Sequence, residues 1–384
     1  MMARSLRVGF DVGKAVGPAD GVGRFGRSLL RALVEEAPAA GVELHLYDLI
    51  AGRARGDDLV AILGGRLPDG IVVHGRAPRS GQVDLFHATT FRVPPRVFCA
   101  IVLTLYDLSF VSHPECHTLA NRVLSLVGTA EAAARGAVLA AISGHTRDQA
   151  VRLLGMPADR IAVIPLAADP AFRPVDAGAA RRRLAERHGI DRPFLLAVGS
   201  LEPRKNLARL VDACERLRSC RRRELALVLA GSQGWRNREL LERLEGSEID
   251  IRRAGPVPTA DLVDLYAAAE VLVYPSLEEG FGLPVLEAQA CRAPVVASAA
   301  GAVPEAAGDG AVLVDPLDVG ALAASIEDVL CRPDLRADLV RRGAANAARF
   351  SWQRCAREHL TLYRQVAEGG REPVGAAHGA SMWR

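Results

Sequence analysis

The sequence predicts an α/β fold composed of two doubly wound parallel sheets, and three observations support this class. At 384 residues the chain is long enough for two domains, each with a full hydrophobic core. Short apolar runs, typical of buried parallel strands, alternate with longer runs typical of helices. The alternation breaks at residues 166–176, where two prolines and two aspartates occur without periodicity, and it resumes at residue 193.

The predicted elements follow that alternation. In the first half we expect helices at residues 27–37 and 118–138, and strands at residues 6–12, 42–49, 84–89, 100–108, 138–143 and 160–165. In the second half we expect strands at residues 193–200, 225–231, 250–255, 269–275, 293–298 and 311–316. A last helix is predicted at residues 351–366, and the tail 369–384, rich in Gly, Ala and Arg, is predicted to be disordered.

Composition excludes several classes of protein. The net charge of +3 is too small to indicate a nucleic-acid partner. Seven cysteines without a Cys-x-x-Cys pair favour neither a zinc site nor a disulfide framework. The N-terminus resembles no signal peptide, and the chain has no run of 18 apolar residues, so we expect a cytoplasmic protein. Arginine clusters at 181–183 and 221–223 favour solvated helix faces, and they leave open a peripheral contact with anionic lipid at the inner membrane face.

Residues 275–290, PSLEEGFGLPVLEAQA, form the most specific pattern in the chain. They join a predicted buried strand to a run of good helix formers. Gly280 and Gly282 lie at the junction, so the backbone can approach a ligand where a helix N-terminus presents unpaired N–H groups. Such a helix start favours anions, phosphate above all.

Two carboxylates, Glu279 and Glu287, flank this junction eight residues apart. A paired-carboxylate glycosidase holds its two groups about 5 to 9.5 Å apart across one sugar bond. Eight residues of helix would separate them by roughly 12 Å. The spacing therefore excludes that class, and it favours contacts with opposite ends of one elongated ligand, such as a nucleotide sugar.

The string GSLEPRKN, residues 199–206, follows the first predicted strand of the second half. Arg204 and Lys205 therefore lie at the carboxyl end of that strand, the usual ligand edge of an α/β sheet. Two cations at this edge can neutralise a departing diphosphate. Lys205 is one of two lysines in a chain with 46 arginines, which favours a position that needs a compact ammonium group.

These two segments resemble the Glu-x7-Glu motif and the Gly-x-Leu-x-x-Arg-Lys-Asn string of retaining GT-B glycosyltransferases, a family that includes many bacterial mannosyltransferases. The resemblance covers residues 6–366. It implies a GT-B architecture, in which two Rossmann-like domains face a central cleft. The implied boundaries are an acceptor domain at 1–168 with helix 351–366 packed against it, a hinge at 169–192, and a donor domain at 193–350.

The resemblance also implies roles for the matching residues of the second half. Glu279 is expected to contact hydroxyls of the donor sugar, and Glu287 to hold the nucleotide ribose. Arg204 and Lys205 are expected to bind the diphosphate. Ser200, from the same string, and the backbone at Gly282 and Leu283 complete the implied nucleotide-sugar site.

In the first half, GVGRFG at 21–26 fits a dinucleotide-binding pattern, with Asp48 about twenty residues further on. The glycines begin too far after the first predicted strand, so a ligand-facing glycine loop that opens a helix fits better. By resemblance, this loop, with Gly21 and Gly23, closes over the donor phosphates and the acceptor.

Three further polar residues of the first half are candidates for the site. Family members usually carry His-Asp where this chain has Tyr106 and Asp107. We assign both to the catalytic set, and two interpretations of Tyr106 stay open: its hydroxyl binds the donor sugar, or it binds a backbone carbonyl as part of the packing. His87 is a candidate for acceptor contact, and a purely structural histidine is an equal alternative.

The implied function is a retaining transferase that moves a hexosyl unit to a polysaccharide or a lipid-linked glycan. GDP-mannose is the first choice of donor and a UDP-hexose the second. No Asp-x-Asp pair follows a predicted strand, so we expect no metal cofactor. Two alternatives are an NAD-binding oxidoreductase, based on GVGRFG, and a non-catalytic nucleotide-sugar-binding protein, based on Tyr106 and on Arg292, which stands where the family typically has Gly.

Overall fold

The computed structural model describes residues 4–17, 21–51, 56–68, 70–76, 78–94, 98–217 and 225–369. The chain forms two compact units. The first contains the residues up to Val111, Leu119–Leu166 and the residues from Ser351, and the second contains Ser112–Thr118 and Ala167–Phe350. Each unit is built on one parallel sheet.

The strands of the first unit are β1 (Leu6–Asp11), β2 (Val42–Tyr47), β3 (Ile71–Val73), β4 (Leu85–Ala88), β5 (Ala100–Leu105), β6 (Val138–Ala141) and β7 (Ile161–Val163). Within the described residues they form one sheet in the order β3-β2-β1-β4-β5-β6-β7. The helices up to β7 are α1 (Gly21–Glu36), α2 (Gly56–Ile62), α3 (Ser109–Ser112), α4 (Leu119–Ala134) and α5 (Gly144–Leu154). The order reverses between β1 and β4, which is the topological switch point of this sheet.

The second unit repeats this plan. Its strands are β8 (Phe194–Val198), β9 (Ala226–Ala230), β10 (Asp250–Gly255), β11 (Val271–Tyr274), β12 (Val295–Ser298) and β13 (Val312–Val314). Its helices are α6 (Ala177–His188), α7 (Leu207–Glu215), α8 (Arg238–Glu245), α9 (Thr259–Ala268), α10 (Leu283–Ala290), α11 (Val303–Ala307), α12 (Val319–Cys331) and α13 (Pro333–Ala347). The strands of the described residues pair in the order β10-β9-β8-β11-β12-β13, so the order reverses between β8 and β11.

Both faces of the second sheet are buried, which explains why its strands are continuous apolar runs. Phe194 and Leu196 of β8 pack into one hydrophobic cluster with α6, α9 and α10. The alternate residues Leu195 and Ala197 pack into another cluster with α7 and α12. The carboxyl ends of β8 and β11 therefore lie side by side on a rigid support.

The last helix, α14 (Trp352–Ala367), belongs to the first unit. Ser351 caps it by accepting a hydrogen bond from the Arg354 N–H at 3.2 Å. Arg357 forms an ion pair with Glu36 at the end of α1. The helix expected at 351–366 is thus present and packs against α1. The predicted tail lies, apart from Gly369, outside the described residues.

The sequence predicts a hinge at residues 169–192, but in the structure these residues are part of the second unit. They contain α6 and place Phe172, Leu184 and Ile190 in the core of the second unit. The absence of strand periodicity in this segment does not mark a hinge, because a proline-containing loop and one helix, α6, extend the second unit. The short segment 112–118, expected in the first domain, also belongs to the second unit. There Trp235 donates its indole N–H to the Cys116 carbonyl at 2.7 Å.

The arginine cluster 181–183 on α6 is mostly neutralised. Arg181 pairs with Glu270 at 2.8 Å, and Arg183 donates to Asp264 at 2.7 Å. Two of these three arginines therefore serve packing between α6 and its neighbours. The cluster at 221–223 lies outside the described residues. No helix in the described ranges is both long and apolar enough to cross a membrane.

Candidate active site at the ends of β8 and β11

The loops that follow β8 and β11 meet at the switch point of the second sheet. The Leu277 N–H donates to the Arg204 carbonyl at 2.8 Å, and the Asn206 amide donates to the Pro275 carbonyl at 3.0 Å. Asn206 has a φ of 57°, a left-handed conformation that Asn tolerates better than most residues, and it ends a short 3₁₀ turn. The sequence Pro-Arg-Lys-Asn thus folds into a tight turn that aims two cations at the next loop.

Glu279 is the centre of a buried ion cluster that the two loops form. The Lys205 ammonium donates to its Oε1 at 2.6 Å, and Arg204 Nη1 donates to its Oε2 at 2.8 Å. Arg204 Nη1 also donates to the Glu278 carbonyl, and its Nη2 donates to Glu202 Oε1, each at 2.7 Å. We call Glu202, Arg204, Lys205 and Glu279 the Glu279 cluster.

Charge compensation keeps Glu279 ionised in this buried position. Burial by itself raises the pKa of the Glu279 carboxyl, but the charges of Arg204 and Lys205 outweigh that effect and lower the pKa to about 2. The carboxylate is therefore anionic at neutral pH. Tyr274, at the end of β11, accepts a hydrogen bond from Lys205 at 3.0 Å, and burial followed by the Glu279 charge raises its pKa well above the usual value.

Glycines allow these groups to approach each other. Gly199 has a φ of 144°, and a Cβ there would lie 2.9 Å from Lys205 Cε. A Cβ on Gly301 would lie 2.7 Å from the Glu279 backbone nitrogen. Ser200, which follows Gly199, accepts a hydrogen bond from the Ser232 hydroxyl at 3.1 Å. Ser200 therefore lies beside the cluster's loop, as expected of a residue at this strand end.

The helix start that the sequence predicts is present next to this cluster. Gly282 is the N-cap of α10 with a φ of 110°, and Leu283 is the first helical residue. Among the described residues, no side chain caps this helix, so its first N–H groups are not held by a capping side chain. Glu287 lies in the second turn of α10, is buried, and accepts a hydrogen bond from the Tyr266 hydroxyl at 2.8 Å.

Sequence comparison identifies the family of a protein with this arrangement. The model of the family described as "Glycosyl transferases group 1" matches residues 180–346. The O-antigen chain mannosyltransferase B of Escherichia coli is 34 % identical over 282 residues, which are 73 % of this chain and 74 % of that protein. The chain belongs to the group 1 glycosyltransferases. The D-inositol 3-phosphate glycosyltransferase of Acidothermus cellulolyticus is 32 % identical over 355 residues, 88 % of this chain and 76 % of the relative.

Solved structures show the same fold. The sucrose-phosphate synthase of Thermosynechococcus elongatus matches with a TM-score of 0.70 at 22 % identity, over 95 % of this chain and 100 % of that one. The Anabaena HepE protein in complex with UDP-glucose matches with a TM-score of 0.68 at 19 % identity, over 95 % and 99 %. The predicted GT-B fold, with its two doubly wound sheets, and the resemblance to this glycosyltransferase family are confirmed.

Of the two interpretations of His87 in this group 1 glycosyltransferase, the structure favours the structural histidine over the acceptor contact. It is fully buried, and its Nδ1 lies 2.6 Å from the Tyr363 hydroxyl and its Nε2 2.7 Å from the Thr104 hydroxyl. Its ring stacks on His359 at a centroid distance of 5.3 Å. Burial lowers the pKa of His87 well below the usual value, so the ring is neutral. We call His87, Thr104, His359 and Tyr363 the His87 cluster.

Tyr106 takes the packing alternative. Its hydroxyl donates to the Thr89 carbonyl at 2.7 Å, and its ring meets Phe25 edge to face at 5.3 Å. A phenol has one proton to donate, and the backbone uses it. The structure therefore favours the packing interpretation, and sequence reasoning could not identify the Thr89 carbonyl as the partner of this hydroxyl.

Asp107 and the glycine run also have local structural roles. Asp107 Oδ1 accepts hydrogen bonds from the Ser109 N–H at 3.1 Å and the Ser109 hydroxyl at 2.8 Å, at the start of α3. Gly21 and Gly23 lie in the first turn of α1, so the predicted glycine loop is helical instead. Glycine is a poor helix former, so the tertiary packing of α1 overrides its propensity here.

The dinucleotide-binding interpretation loses its second element as well. Asp48 Oδ1 accepts the N–H groups of Ile50 and Ala51 at 2.8 and 2.7 Å, which forms a local turn after β2. The Asp48 carboxylate is thus held by backbone N–H groups of the turn that directly follows it. Both elements of the fingerprint are thus part of the local structure of the first unit.

Sequence reasoning missed two members of the site. Glu202 stands inside the quoted string GSLEPRKN and binds Arg204, but no charge pattern singled it out. Tyr274 lies within the strand predicted at 269–275, and the sequence does not mark it as a partner of Lys205. A usable signal existed for both, because each lies at the carboxyl end of a strand next to the switch point, where polar side chains converge on a ligand edge.

Arg292, which stands where the family typically has Gly, has a left-handed backbone conformation that is strained for a residue with a side chain. Its φ is 61°, and it follows the end of α10. The Ala293 N–H bonds to the Ala288 carbonyl at 2.9 Å, and the Arg292 N–H to the Gln289 carbonyl at 3.1 Å. This hydrogen-bond pair is the Schellman motif, which normally places glycine where Arg292 stands.

Proposed function

We propose that this glycosyltransferase moves a mannosyl unit from GDP-mannose, with retention of configuration, to a growing polysaccharide or a lipid-linked glycan. The reaction takes place in the cytoplasm or at the inner membrane face. A UDP-hexose is the second candidate donor. The observation that carries the proposal is the Glu279 cluster beside the start of α10, because it combines two cations and one carboxylate with a helix N-terminus that no side chain of its N-cap residue closes.

The cluster has the charges that transfer from a nucleotide sugar needs. When the bond from the anomeric carbon to the diphosphate breaks, negative charge develops on the leaving oxygen. Arg204 and Lys205 are held at fixed positions by Glu279, so they meet that charge with little reorganisation. An anionic Glu279 can then accept hydrogen bonds from sugar hydroxyls, since its pKa of about 2 keeps it ionised.

Glu287 fits the nucleotide end of the ligand. It lies in the second turn of α10, while Glu279 precedes this helix, so the two carboxylates are separated along the ligand edge. The Tyr266 hydroxyl fixes one oxygen of Glu287 at 2.8 Å. Glu287 is proposed to bind the ribose of the nucleotide.

The choice of donor rests on the named relatives. The Escherichia coli protein is a mannosyltransferase of O-antigen chains, which supports a mannosyl donor and a glycan acceptor. The Anabaena structure contains UDP-glucose, which supports the second candidate. The D-inositol 3-phosphate glycosyltransferases favour a small phosphorylated acceptor as a further alternative.

We also propose that the reaction needs no metal ion, because the two cations of the cluster supply the charge that a metal would bring to the diphosphate. Turnover should therefore survive EDTA. Activity that is abolished by EDTA and restored by titrating Mg²⁺ or Mn²⁺ would contradict this part of the proposal.

Calorimetry with GDP, UDP, GDP-mannose and UDP-glucose tests the assignment of the two carboxylates. We expect GDP and GDP-mannose to bind the parent protein most tightly. Glu287→Gln should weaken free nucleotide and sugar nucleotide alike, whereas Glu279→Ala should spare free nucleotide and weaken the sugar nucleotide. Equal loss of free nucleotide in both variants would show that the carboxylates do not bind opposite ends of the donor.

Two controls separate this function from the rival classes. NAD should not bind, and binding of NAD in preference to both nucleotides would favour an oxidoreductase. The parent protein should also hydrolyse its donor slowly when no acceptor is present. Tight donor binding without hydrolysis or transfer would favour a non-catalytic binding protein.

A further inference from the structure

Helix α4 (Leu119–Ala134) exposes an apolar face to solvent. Leu119 is 72 % exposed, Val123 50 % and Val127 59 %. At about 100° per residue, they fall with other apolar residues within a stripe about 100° wide. This stripe, the α4 stripe, consists of Leu119, Val123, Leu126, Val127, Ala130 and Ala134. The opposite side of the helix, with Gly128, Thr129 and Ala132, is buried against the first unit.

A helix on the surface of a globular protein normally shows the reverse arrangement, with polar residues outward. The stripe, with Leu124 at its edge, exposes roughly 500 Å² of apolar surface, which is the size of a patch that marks an interaction site. Half of the exposed large hydrophobic residues in the described part of the chain lie on this one helix. The stripe therefore requires a partner.

The order of residues along the stripe is self-complementary. If two copies of α4 run antiparallel about a two-fold axis between Leu126 and Val127, Leu119 of one copy faces Ala134 of the other. In the same arrangement Val123 faces Ala130, and Leu126 and Val127 of the two copies form the central layer. Each large side chain near an end thus meets a small one, which is how packed helices fill the space between them.

We propose that a second copy of this chain covers the α4 stripe, and that the protein forms a two-fold symmetric dimer through antiparallel pairing of α4. Such an isologous contact uses the same patch on both subunits. Two stripes together bury roughly 1,000 Å², which is the lower limit for a specific interface. The dimer is therefore expected to be reversible and dependent on concentration.

The charges around the stripe favour this occupant over a lipid surface. A helix that lies on a membrane typically combines an apolar face with many Lys and Arg residues and with aromatic anchors. The stripe has only aliphatic side chains, and its two borders carry one charge of each sign, Arg122 and Glu131. A neutral, aliphatic face with matched large and small residues fits a protein partner better.

Sedimentation velocity between about 1 and 100 μM tests the proposal, over a range that brackets a micromolar dissociation constant. The parent protein should shift from monomer to dimer. Val123→Glu places two charges in the interface and should raise the dissociation constant at least 100-fold. Leu317→Glu is the matched control, because Leu317 is 60 % exposed on the second unit and should leave the dimer unchanged. A parent protein that stays monomeric, or a Val123→Glu variant that dimerises normally, would overturn the proposal.

A swap of large and small residues distinguishes helix pairing from membrane binding. Ala130→Val should weaken the dimer about tenfold, because it opposes Val123 of the other copy, and Val123→Ala with Ala130→Val should restore it. On vesicles of anionic phospholipid, Ala130→Val adds apolar area and would strengthen binding. Stronger vesicle binding by Ala130→Val together with failure of the double variant to restore the dimer would assign the stripe to the membrane instead.

Discussion

The Glu279 cluster of the second unit and the His87 cluster of the first unit are both buried, but burial leaves the first charged and the second neutral. Glu279 keeps its charge, because two cations lie within 2.8 Å of its oxygens. His87 and His359 are neutral, because burial lowers the pKa of each; two hydroxyls contact His87, and a backbone carbonyl contacts His359. Burial lowers the pKa of His359 to about 4, whereas the pKa of Glu279 falls to about 2 despite burial.

This difference in charge distinguishes the Glu279 cluster, which we propose as the donor site, from the His87 cluster, which has a structural role. A buried charge is costly unless other charges compensate it, and in the Glu279 cluster that compensation keeps two cations and a carboxylate charged at fixed positions. In the neutral His87 cluster, both ring nitrogens of His87 are held by hydroxyl groups within the protein, so His87 offers no charge to a ligand. The chemistry of the partners, and not the identity of the central residue, is our reason for proposing that the Glu279 cluster acts on substrate.

Removal of either cation from the Glu279 cluster should have the largest effect. Arg204→Ala and Lys205→Ala should each lower kcat by on the order of 10² to 10³, as the loss of one preorganised charge contact does. Steady-state rates at saturating donor measure this effect. Arg183→Ala is the control, because it removes an ion pair of the same unit away from the cluster. Two variants with unchanged kcat would exclude these cations from the leaving-group site.

Acidification should weaken the His87 cluster before it affects the Glu279 cluster. The unfolded chain binds protons at histidine below pH 6.5, while folded His359 does not until about pH 4, so stability falls as pH drops through that window. At pH 5 the loss from His359 is about 2 kcal/mol. The stability from Glu279 is present above pH 4.5 and is lost only as pH falls towards 2.

Urea unfolding at pH 7 and pH 5 measures this loss, with the first unit monitored separately by hydrogen exchange. His359→Leu removes the titrating ring and should reduce the difference between the two pH values. An equal difference in the parent and the variant would mean that another group is responsible.

Tyr106→Phe tests whether a hydroxyl in the first unit is structural. The change removes the hydrogen bond to the Thr89 carbonyl and should lower the free energy of unfolding by about 1 kcal/mol. Because that proton is used by the backbone, kcat/KM should change by less than about twofold. A tenfold loss of kcat/KM with an unchanged melting temperature would restore the sugar-binding interpretation.

Arg292→Gly should have the smallest effect and the opposite sign. The left-handed conformation costs a residue with a side chain about 1 kcal/mol of folding free energy, and it costs glycine nothing. The variant should therefore be more stable, but only by about 0.5 to 1 kcal/mol, because the greater entropy of glycine in the unfolded chain offsets part of the gain. Thermal unfolding gives the measurement, and Arg292→Ala, which keeps the Cβ, should not be stabilised.

The sequence by itself determined the features that depend on neighbours along the chain. The period of the apolar runs predicted both parallel sheets, because a buried strand needs apolar residues on both faces. The strings around Lys205 and Glu279 predicted the charged loops, because each loop directly follows a strand and its geometry is local. Ser143 illustrates the same local rule, since it caps α5 by accepting the Thr146 N–H three residues further on at 3.0 Å.

Only the tertiary structure decided which polar residues face a ligand. His87 pairs with Tyr363, 276 residues away, and Tyr106 pairs with Thr89, which follows the neighbouring strand β4. The apolar α4 stripe was likewise invisible in the sequence, where an Ala-rich run predicts a helix but not which side is covered. Charge state and accessibility depend on partners that folding brings from distant parts of the chain, and local pattern carries no information about them.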